Sequence, residues 1–357
     1  LNYLIGEMIG ELNIGHTYVS GGDVHDGARR IPVGLLGADF APDRKAKYHR
    51  IARIYPATPG DPHERSPLDT PGSPVRAGQY LIAINGTEVT AADNVFARLV
   101  NQAGKVVTLT LNDQPTRDGA FTHRVKTLRS EWPLRYRAWV EGNRAYVDQA
   151  SGGKIGYVHI PNMMESGIIE LAKVYFPHYY KQAFIIDERY NGGGFTSDMI
   201  IDRLERRVWS VTIPGEGNPQ PNRERGFFGP RAVLINEAPG SSGEWFAEAI
   251  KRRGLAPLIG MRTGGGAIGI EPHQNLVDGG VTTPPQFAPY GLNGDWPVEG
   301  HGVDPDIEVQ NMPQEVLEGQ DAQLETGVEL LLKELNQRSY ELPPPPPYPV
   351  KAKPAGE

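Results

Sequence analysis

Residues 231–254, RAVLINEAPGSSGEWFAEAIKRRG, run from an apolar strand through a loop rich in Gly, Pro and Ser into an amphipathic helix. The same order recurs on either side. KIGYVHI (154–160) precedes ESGIIELAKVYFPHYY (165–180), AFIID (183–187) precedes FTSDMIIDRLERR (195–207), and PLIGM (257–261) follows the quoted helix. Apolar strand runs separated by amphipathic helices predict βαβ units, so the chain is expected to hold an α/β (α+β) core with a mainly parallel sheet and flanking helices. In such sheets reactive groups sit in loops beyond the carboxyl ends of the strands.

Upstream the pattern changes. IPVGLLGADF, RIARIY, GQYLIAING, KVVTLTL and FTHRVKTL, between residues 31 and 128, are short apolar runs bounded by Gly, Pro, Asn or Asp, with one helix-like stretch, ADNVFARLV (92–100), among them. They predict a compact β-rich module inserted in the core. Before it, LNYLIGEMIGEL places Leu4, Ile5, Met8, Ile9 and Leu12 on one helical face, giving a helical piece over 1–16 and then a polar connector, SGGDVHDG. After the core, 313–339 is expected to end in a helix, and ELPPPPPYPV (341–350) to form an extended arm or a ligand for a proline-binding domain.

The 357 residues suit about two domains at ~150 residues each. A formal net charge of −7, with no basic patch, argues against a nucleic-acid partner. With no cysteine, disulfides, thiolate catalysis and Cys-ligated zinc are excluded. Nothing approaches the ~20 consecutive apolar residues of a membrane span, so no membrane partner is expected. The first residue is leucine, so the true start is expected upstream. The 43 glycines and 32 prolines indicate a loop-rich fold without implying disorder.

Within the module, SPVRAGQYLIAINGTEV (73–89) resembles the most recognisable segment of PDZ domains. Gly78 permits a tight entry, Leu81, Ile82 and Ile84 build the strand, and Asn85-Gly86 supplies a turn at positive φ. GLLGADF (34–40) is then the candidate loop for capturing a peptide carboxylate, with the following strand edge accepting an added strand. The alternative is a structural module whose groove is empty or blocked, and the long insertion 56–72 is placed to cover it.

Four segments hold candidate chemistry. Ser241 and Ser242 stand between a strand and a helix, where a hydroxyl either caps the helix or attacks a substrate beside oxyanion-stabilising N–H groups. The segment is not a G-x-S-x-G elbow, because Glu244 replaces the second glycine. DERYNGGG (187–194) follows a buried strand, and its glycines permit either an oxyanion hole or an anion nest; it lacks the Lys-Ser/Thr of a phosphate loop. Glu299 and His301 lie in VEGHGVDPDIEV (298–309), and His16 lies in HTY (16–18); each alone reads as an ordinary surface or structural group. The nine histidines show no H-E-x-x-H or other metal spacing, so neither a metal nor a cofactor is expected.

Taken together these segments carry a resemblance. ELNIGHTY, the PDZ-like segment, GKIGYVHIPNM, DERYNGGG, NEAPGSSGEWFAEAIKRRG, IGMRTGGGAIG and VEGHGVDPDIEV follow the order seen in tricorn-type proteases, within the wider group of carboxyl-terminal-processing serine peptidases. The resemblance covers residues 1–312. It implies Ser241 as nucleophile, His16 as general base and Glu299 as the acid of the charge chain. It further implies N–H groups of Gly193 and Ser242 as the oxyanion hole, with Gly192, Gly194 and Gly240 beside the substrate. The domains it implies are an N-terminal core segment (1–28), a PDZ-like domain (29–128), a peptidase core (129–312) and a C-terminal helix with proline-rich tail (313–357). Tail-specific relatives use a lysine base where this chain has Arg262-Thr263-Gly264-Gly265-Gly266, so a Ser–Lys dyad is unavailable. Tricorn relatives carry a serine before the histidine, whereas here the residue is Gly15, leaving a water, Thr17 or Glu299 to orient His16. Peptide substrates, a homo-oligomer built on a hexamer and a cytoplasmic location are what the resemblance implies. A catalytically silent peptide-binding scaffold and, on the NGGG loop alone, a nucleotide-binding protein are the rival readings.

Overall fold

The computed structural model describes residues 1–23, 31–58, 64–178, 180–216, 219–221, 226–270, 274–338, 340 and 343–347. The expected connector after residue 23, part of the 56–72 insertion and the tail beyond 347 fall at least partly outside these residues. The chain divides into two compact units, one of 1–24 with 143–357 and one of 25–142.

The larger unit is built on a five-stranded sheet in the order Ile307–Glu308, Leu258–Gly260, Arg231–Ile235, Ala183–Asp187, Ile155–His159, with every pairing parallel. Ile155–His159 and Ala183–Asp187 are buried throughout, and Arg231–Ile235 all but at its first residue, as a sheet covered on both faces requires. Alternation divides the covering. Val158, Phe184, Ile186, Val233 and Ile235 face a core completed by Leu171, Ile200, Leu204, Phe246 and Ile250 from the helices Glu165–Val174, Ser197–Glu205 and Ser242–Arg252. The opposite face receives the helix Ala322–Gln337, where the missing side chain of Gly327 lets it approach Leu234 and Ile185. Asp321 caps that helix by accepting from the Leu324 N–H.

At the amino end, the helix is confined to Asn2–Gly10 and buries none of its residues. The chain then turns into a strand, Tyr18–Gly21, paired antiparallel with Gly280–Thr283. This pairing carries the segment around residue 16 to the opposite end of the sequence.

The smaller unit is an antiparallel sheet in the order Ala38–Asp43, Tyr48–Ile54, Tyr80–Ile84, Val106–Asn112, Phe121–Lys126, with Thr87–Glu88 paired beside Tyr80–Ile84. Leu36, Ile51, Leu81, Ile84, Leu99, Leu109 and Val125 make its core. Asn85 and Gly86 both take positive φ, 49° and 79°, and close the expected hairpin. The helix-like stretch is only a 3-10 turn, Val95–Leu99, begun by Asn94. No separate helix was expected over Trp132–Ala150, yet one is present. Its fully buried apolar positions, Leu134, Val140 and Val147, are six and seven residues apart, too sparse for a clear helical stripe.

Candidate active site

Ser241 sits at the turn between the strand Arg231–Ile235 and the helix Ser242–Arg252, with φ 55° and ψ −124°. A non-glycine residue in that region costs on the order of 1–3 kcal/mol, so the surrounding structure must impose it. Three bonds do so. The Ser241 N–H donates to the Gly266 carbonyl at 2.9 Å, and its own carbonyl accepts from the Glu244 and Trp245 N–H groups at 3.0 and 3.2 Å. The hydroxyl makes no capping bond. The chain therefore has a strained strand-to-helix elbow although the signature glycine pattern is missing.

The glycine loop lies against this elbow. A Cβ at Gly193 would fall 2.8 Å from the Gly240 carbonyl oxygen and 3.0 Å from the Ser241 Cβ. Gly193 and Gly194 have φ of 72° and 142°, and a Cβ at Gly194 would strike the Met163 carbonyl at 2.0 Å. The loop is fixed by Gly192 N–H to the Pro161 carbonyl, Met163 N–H to the Gly193 carbonyl, and Asn191 Nδ2 to the Ile160 carbonyl. The Gly193 N–H donates to Asn191 Oδ1 at 2.9 Å. Ser242 opens the helix, where an N–H lacks an intrahelical acceptor, and its hydroxyl is bonded to Ser197 Oγ at 2.9 Å. The Gly240 carbonyl accepts from the Gly243 N–H.

Glu299 is anchored by three backbone donors. Oε1 accepts from Gly15 N–H at 2.6 Å, and Oε2 accepts from Ala267 and Ile268 N–H at 2.7 Å each. A Cβ at Gly15 would lie 2.6 Å from the Gly266 Cα, so no serine fits there without displacing the backbone. His16 follows at φ 64°, and its carbonyl accepts from Thr283 Oγ1. Thr17 Oγ1 is spent on the Ile14 carbonyl. The structure thus brings Ser241, Gly15 and Glu299 to the 266–268 segment, with Gly193 against Ser241. It makes no hydrogen bond between the His16 imidazole and either Ser241 or Glu299, and His16 Nδ1 is buried without a partner. His301 is exposed, with Nε2 on Asp304 and Nδ1 facing Arg262.

Two acids to which the sequence reading gave no role in the site support it. Glu244, fully buried, accepts from Thr263 Oγ1, Gly265 N–H and Gly266 N–H, and so holds the segment that binds Ser241. Glu188 is also fully buried, with neither oxygen hydrogen-bonded. Burial first, then the carboxylates of Glu244 and Asp187, pushes its acid well above the usual range, which keeps it neutral. A Cβ at Gly243 would meet Glu188 Oε1 at 2.7 Å, which accounts for glycine in the first turn of the serine helix. Behind them, Arg189 grips Asp187 and Asp321 bidentately and ties the glycine loop to the helix Ala322–Gln337.

A strained serine between a parallel strand and a helix, abutting a glycine loop, defines the class as a serine hydrolase site. The particular family follows from comparison: residues 154–309 match peptidase family S41 and residues 34–130 match the tricorn protease PDZ domain. The chain belongs to the tricorn type of the S41 serine peptidases. It is 39% identical over 344 residues to tricorn protease homolog 1 of Streptomyces coelicolor, covering 96% of this chain and 32% of that one. It is 35% identical over 346 residues to the tricorn protease of Thermoplasma acidophilum, again covering 96% of this chain and 32% of that one. A crystal structure of the tricorn protease superposes with a TM-score of 0.83 at 33% identity, covering 93% of this chain and 32% of that one. The chain therefore spans about a third of the length of these relatives. Among the described residues no helix is long and apolar enough to cross a membrane.

Proposed function

We propose that this chain hydrolyses peptide bonds of oligopeptides or unfolded polypeptides through an acyl-enzyme on Ser241. The supporting observation is the Ser241 hydroxyl itself, excluded from the helix cap and presented on a strained turn against the glycine loop. In this reading His16 takes the Ser241 proton as the hydroxyl attacks the carbonyl, then returns it to the leaving amine. The His16 side chain must therefore close on Ser241 when substrate binds. Glu299, whose oxygens are already committed to backbone donors, holds Gly15 and places a negative charge beside the imidazolium that develops.

The oxyanion falls to the N–H groups of Ser242 and Gly193; one such donor lowers the barrier by about 3 kcal/mol. Gly193 must exchange its bond to Asn191 Oδ1 for one to the oxyanion. The reaction calls on no cofactor or metal. The same reading assigns the peptidase core to segments 1–28 and 129–312 around the β-rich domain of 29–128, with 313–357 as its C-terminal helix and tail. It makes Gly192, Gly194 and Gly240 the backbone beside the substrate, and takes a cytoplasmic homo-oligomer as the working form.

A silent scaffold is the second reading, favoured by the unengaged His16 and the occupied Gly193 N–H. Labelling with a fluorophosphonate probe separates the two. A peptidase is labelled on Ser241, and Ser241→Ala abolishes the labelling; no labelling of the intact, upstream-complete, folded protein favours the scaffold.

A further inference from the structure

Asn191 is 1% exposed, and among the described residues the one donor on its Oδ1 is the Gly193 N–H, at 2.9 Å. Its Nδ2 is spent on the Ile160 carbonyl at 2.9 Å, which fixes the amide in place. When the Gly193 N–H leaves for an oxyanion, Asn191 Oδ1 is stranded in a buried site. A buried acceptor without a donor cancels much of what the new bond gains, so a replacement donor is needed beside Asn191. Glu188 stands there. The two residues close one tight turn, in which the Asn191 N–H donates to the Glu188 carbonyl at 3.2 Å. Their side chains meet at the first turn of the serine helix, where the position of a Cβ on Gly243 is 2.7 Å from Glu188 Oε1 and 3.0 Å from Asn191 Oδ1.

We propose that Glu188 is a positioning residue for the oxyanion hole: its neutral carboxyl donates to Asn191 Oδ1 as the Gly193 N–H turns to the oxyanion. This role rests on the peptidase reading of Ser241. The proton stays on Glu188 throughout, and only the donor to Asn191 changes. Glu188 has that donor to give, because it is fully buried and neither of its oxygens has a partner. Burial first, then Glu244 on the serine helix and the adjacent Asp187, hold it in the protonated form. Glu244 cannot serve in its place, since its oxygens already accept from Thr263, Gly265 and Gly266. The exchange needs little movement. Glycine at 192 and 193 frees the torsions on either side of the shifting amide, while the Gly192 N–H and Gly193 carbonyl keep their bonds to Pro161 and Met163.

The test measures fluorophosphonate labelling of Ser241 on the full chain, at several probe concentrations, in the parent, Glu188→Met and Glu188→Gln. Methionine fills the space and has no donor; glutamine keeps a donor and carries no charge. Alanine is unsuitable, because the space it opens admits a water that donates in place of the acid. The expected result is a limiting labelling rate about tenfold lower in Glu188→Met, with an unchanged half-saturating probe concentration and a urea midpoint no lower than the parent's. Glu188→Gln should label within about threefold of the parent. A merely structural role would lower rate and midpoint together and would not spare glutamine. A folded Glu188→Met protein labelled as fast as the parent overturns the proposal, as does a Glu188→Gln protein as slow as Glu188→Met. Should Glu188→Met fail to unfold cooperatively, Glu188→Leu is read against the same outcomes. An intact, upstream-complete, folded parent that is not labelled at all removes the peptidase reading and this role with it, an outcome distinct from a labelled parent matched by Glu188→Met.

Discussion

Gly15 packs on Gly266 so closely that a Cβ at residue 15 would stand 2.6 Å from the Gly266 Cα. The contact joins the segment bearing His16 to the segment whose carbonyl fixes the N–H of Ser241, across an interval of 225 residues between His16 and Ser241. It also lets the Gly15 N–H reach Glu299 directly. A glycine here is a packing requirement.

Placing a serine at this position is therefore expected to harm the protein. Gly15→Ser must push the 265–267 backbone away from the elbow, at a cost of about 1–3 kcal/mol for overpacking. Turnover should fall at least tenfold with a lowered unfolding midpoint. A stable, more active Gly15→Ser protein would show that the loop yields freely and that Glu299 is not bound to residue 15 in the working state.

Glu299 accepts three backbone N–H groups, and its removal leaves all three to be satisfied by water or not at all. Glu299→Ala should lower stability by about 2 kcal/mol and reduce kcat far more than it raises KM. Glu299→Gln, which keeps one carbonyl oxygen, should lie between. Unchanged kcat in both would remove Glu299 from the mechanism.

The fold was legible where punctuation is strong. Runs such as AFIID and RAVLI are bounded by loops and followed by amphipathic helices, so the parallel sheet and the position of Ser241 at a strand's end follow from periodicity alone. Asn85-Gly86 marked its hairpin because few other pairs tolerate two positive φ values. Other features left no pattern. Glu188 and Glu244 look like solvated acids in a loop and a helix, and only the three-dimensional closure of the sheet on the serine helix buries them. Glu244 was noticed because it spoils the elbow signature, whereas its oxygens are what hold residues 263–266. Likewise Ala322–Gln337 reads as a tail helix, and its cover over Leu234 and Ile185 depends on Gly327 meeting residues 93 and 142 positions earlier in the chain.

Glu188 gives a pH signature. Its acid is raised in the folded state by burial and by Glu244 and Asp187, so the folded chain keeps a proton that the unfolded chain releases. The stabilising contribution is complete below the ordinary carboxylate value and is lost as pH rises from there through the folded value, at up to ~1.4 kcal/mol per pH unit. Glu188→Gln cannot ionise and should remove this slope. Urea midpoints at several pH values between 5 and 9 should show the variant gaining on the parent as pH rises; parallel profiles would mean Glu188 is ionised in the fold.

Gly243 tests the same contact by volume. Gly243→Ala places a methyl 2.7 Å from Glu188 Oε1 and 3.0 Å from Asn191 Oδ1. It should destabilise by about 2 kcal/mol and disturb the Gly193 anchor on Asn191, lowering fluorophosphonate labelling. Adding Glu188→Ala opens the space and should recover part of both losses. Strict additivity of the two substitutions would mean that they do not share this contact.

The strain at Ser241 predicts opposite signs for stability and function. At φ 55° and ψ −124° a side chain is penalised and glycine is not. Ser241→Gly should therefore raise stability by about 1 kcal/mol, while Ser241→Ala, which keeps the Cβ, should leave it nearly unchanged. Both lose the hydroxyl and should lose labelling completely. The unfolded chain of the glycine variant gains conformational freedom, which offsets part of the benefit and sets the expected gain at the low end of the strain range. A glycine variant less stable than the alanine one would mean that the elbow is relaxed, and that the geometry at residue 241 is not held against a cost by Gly266 and Glu244.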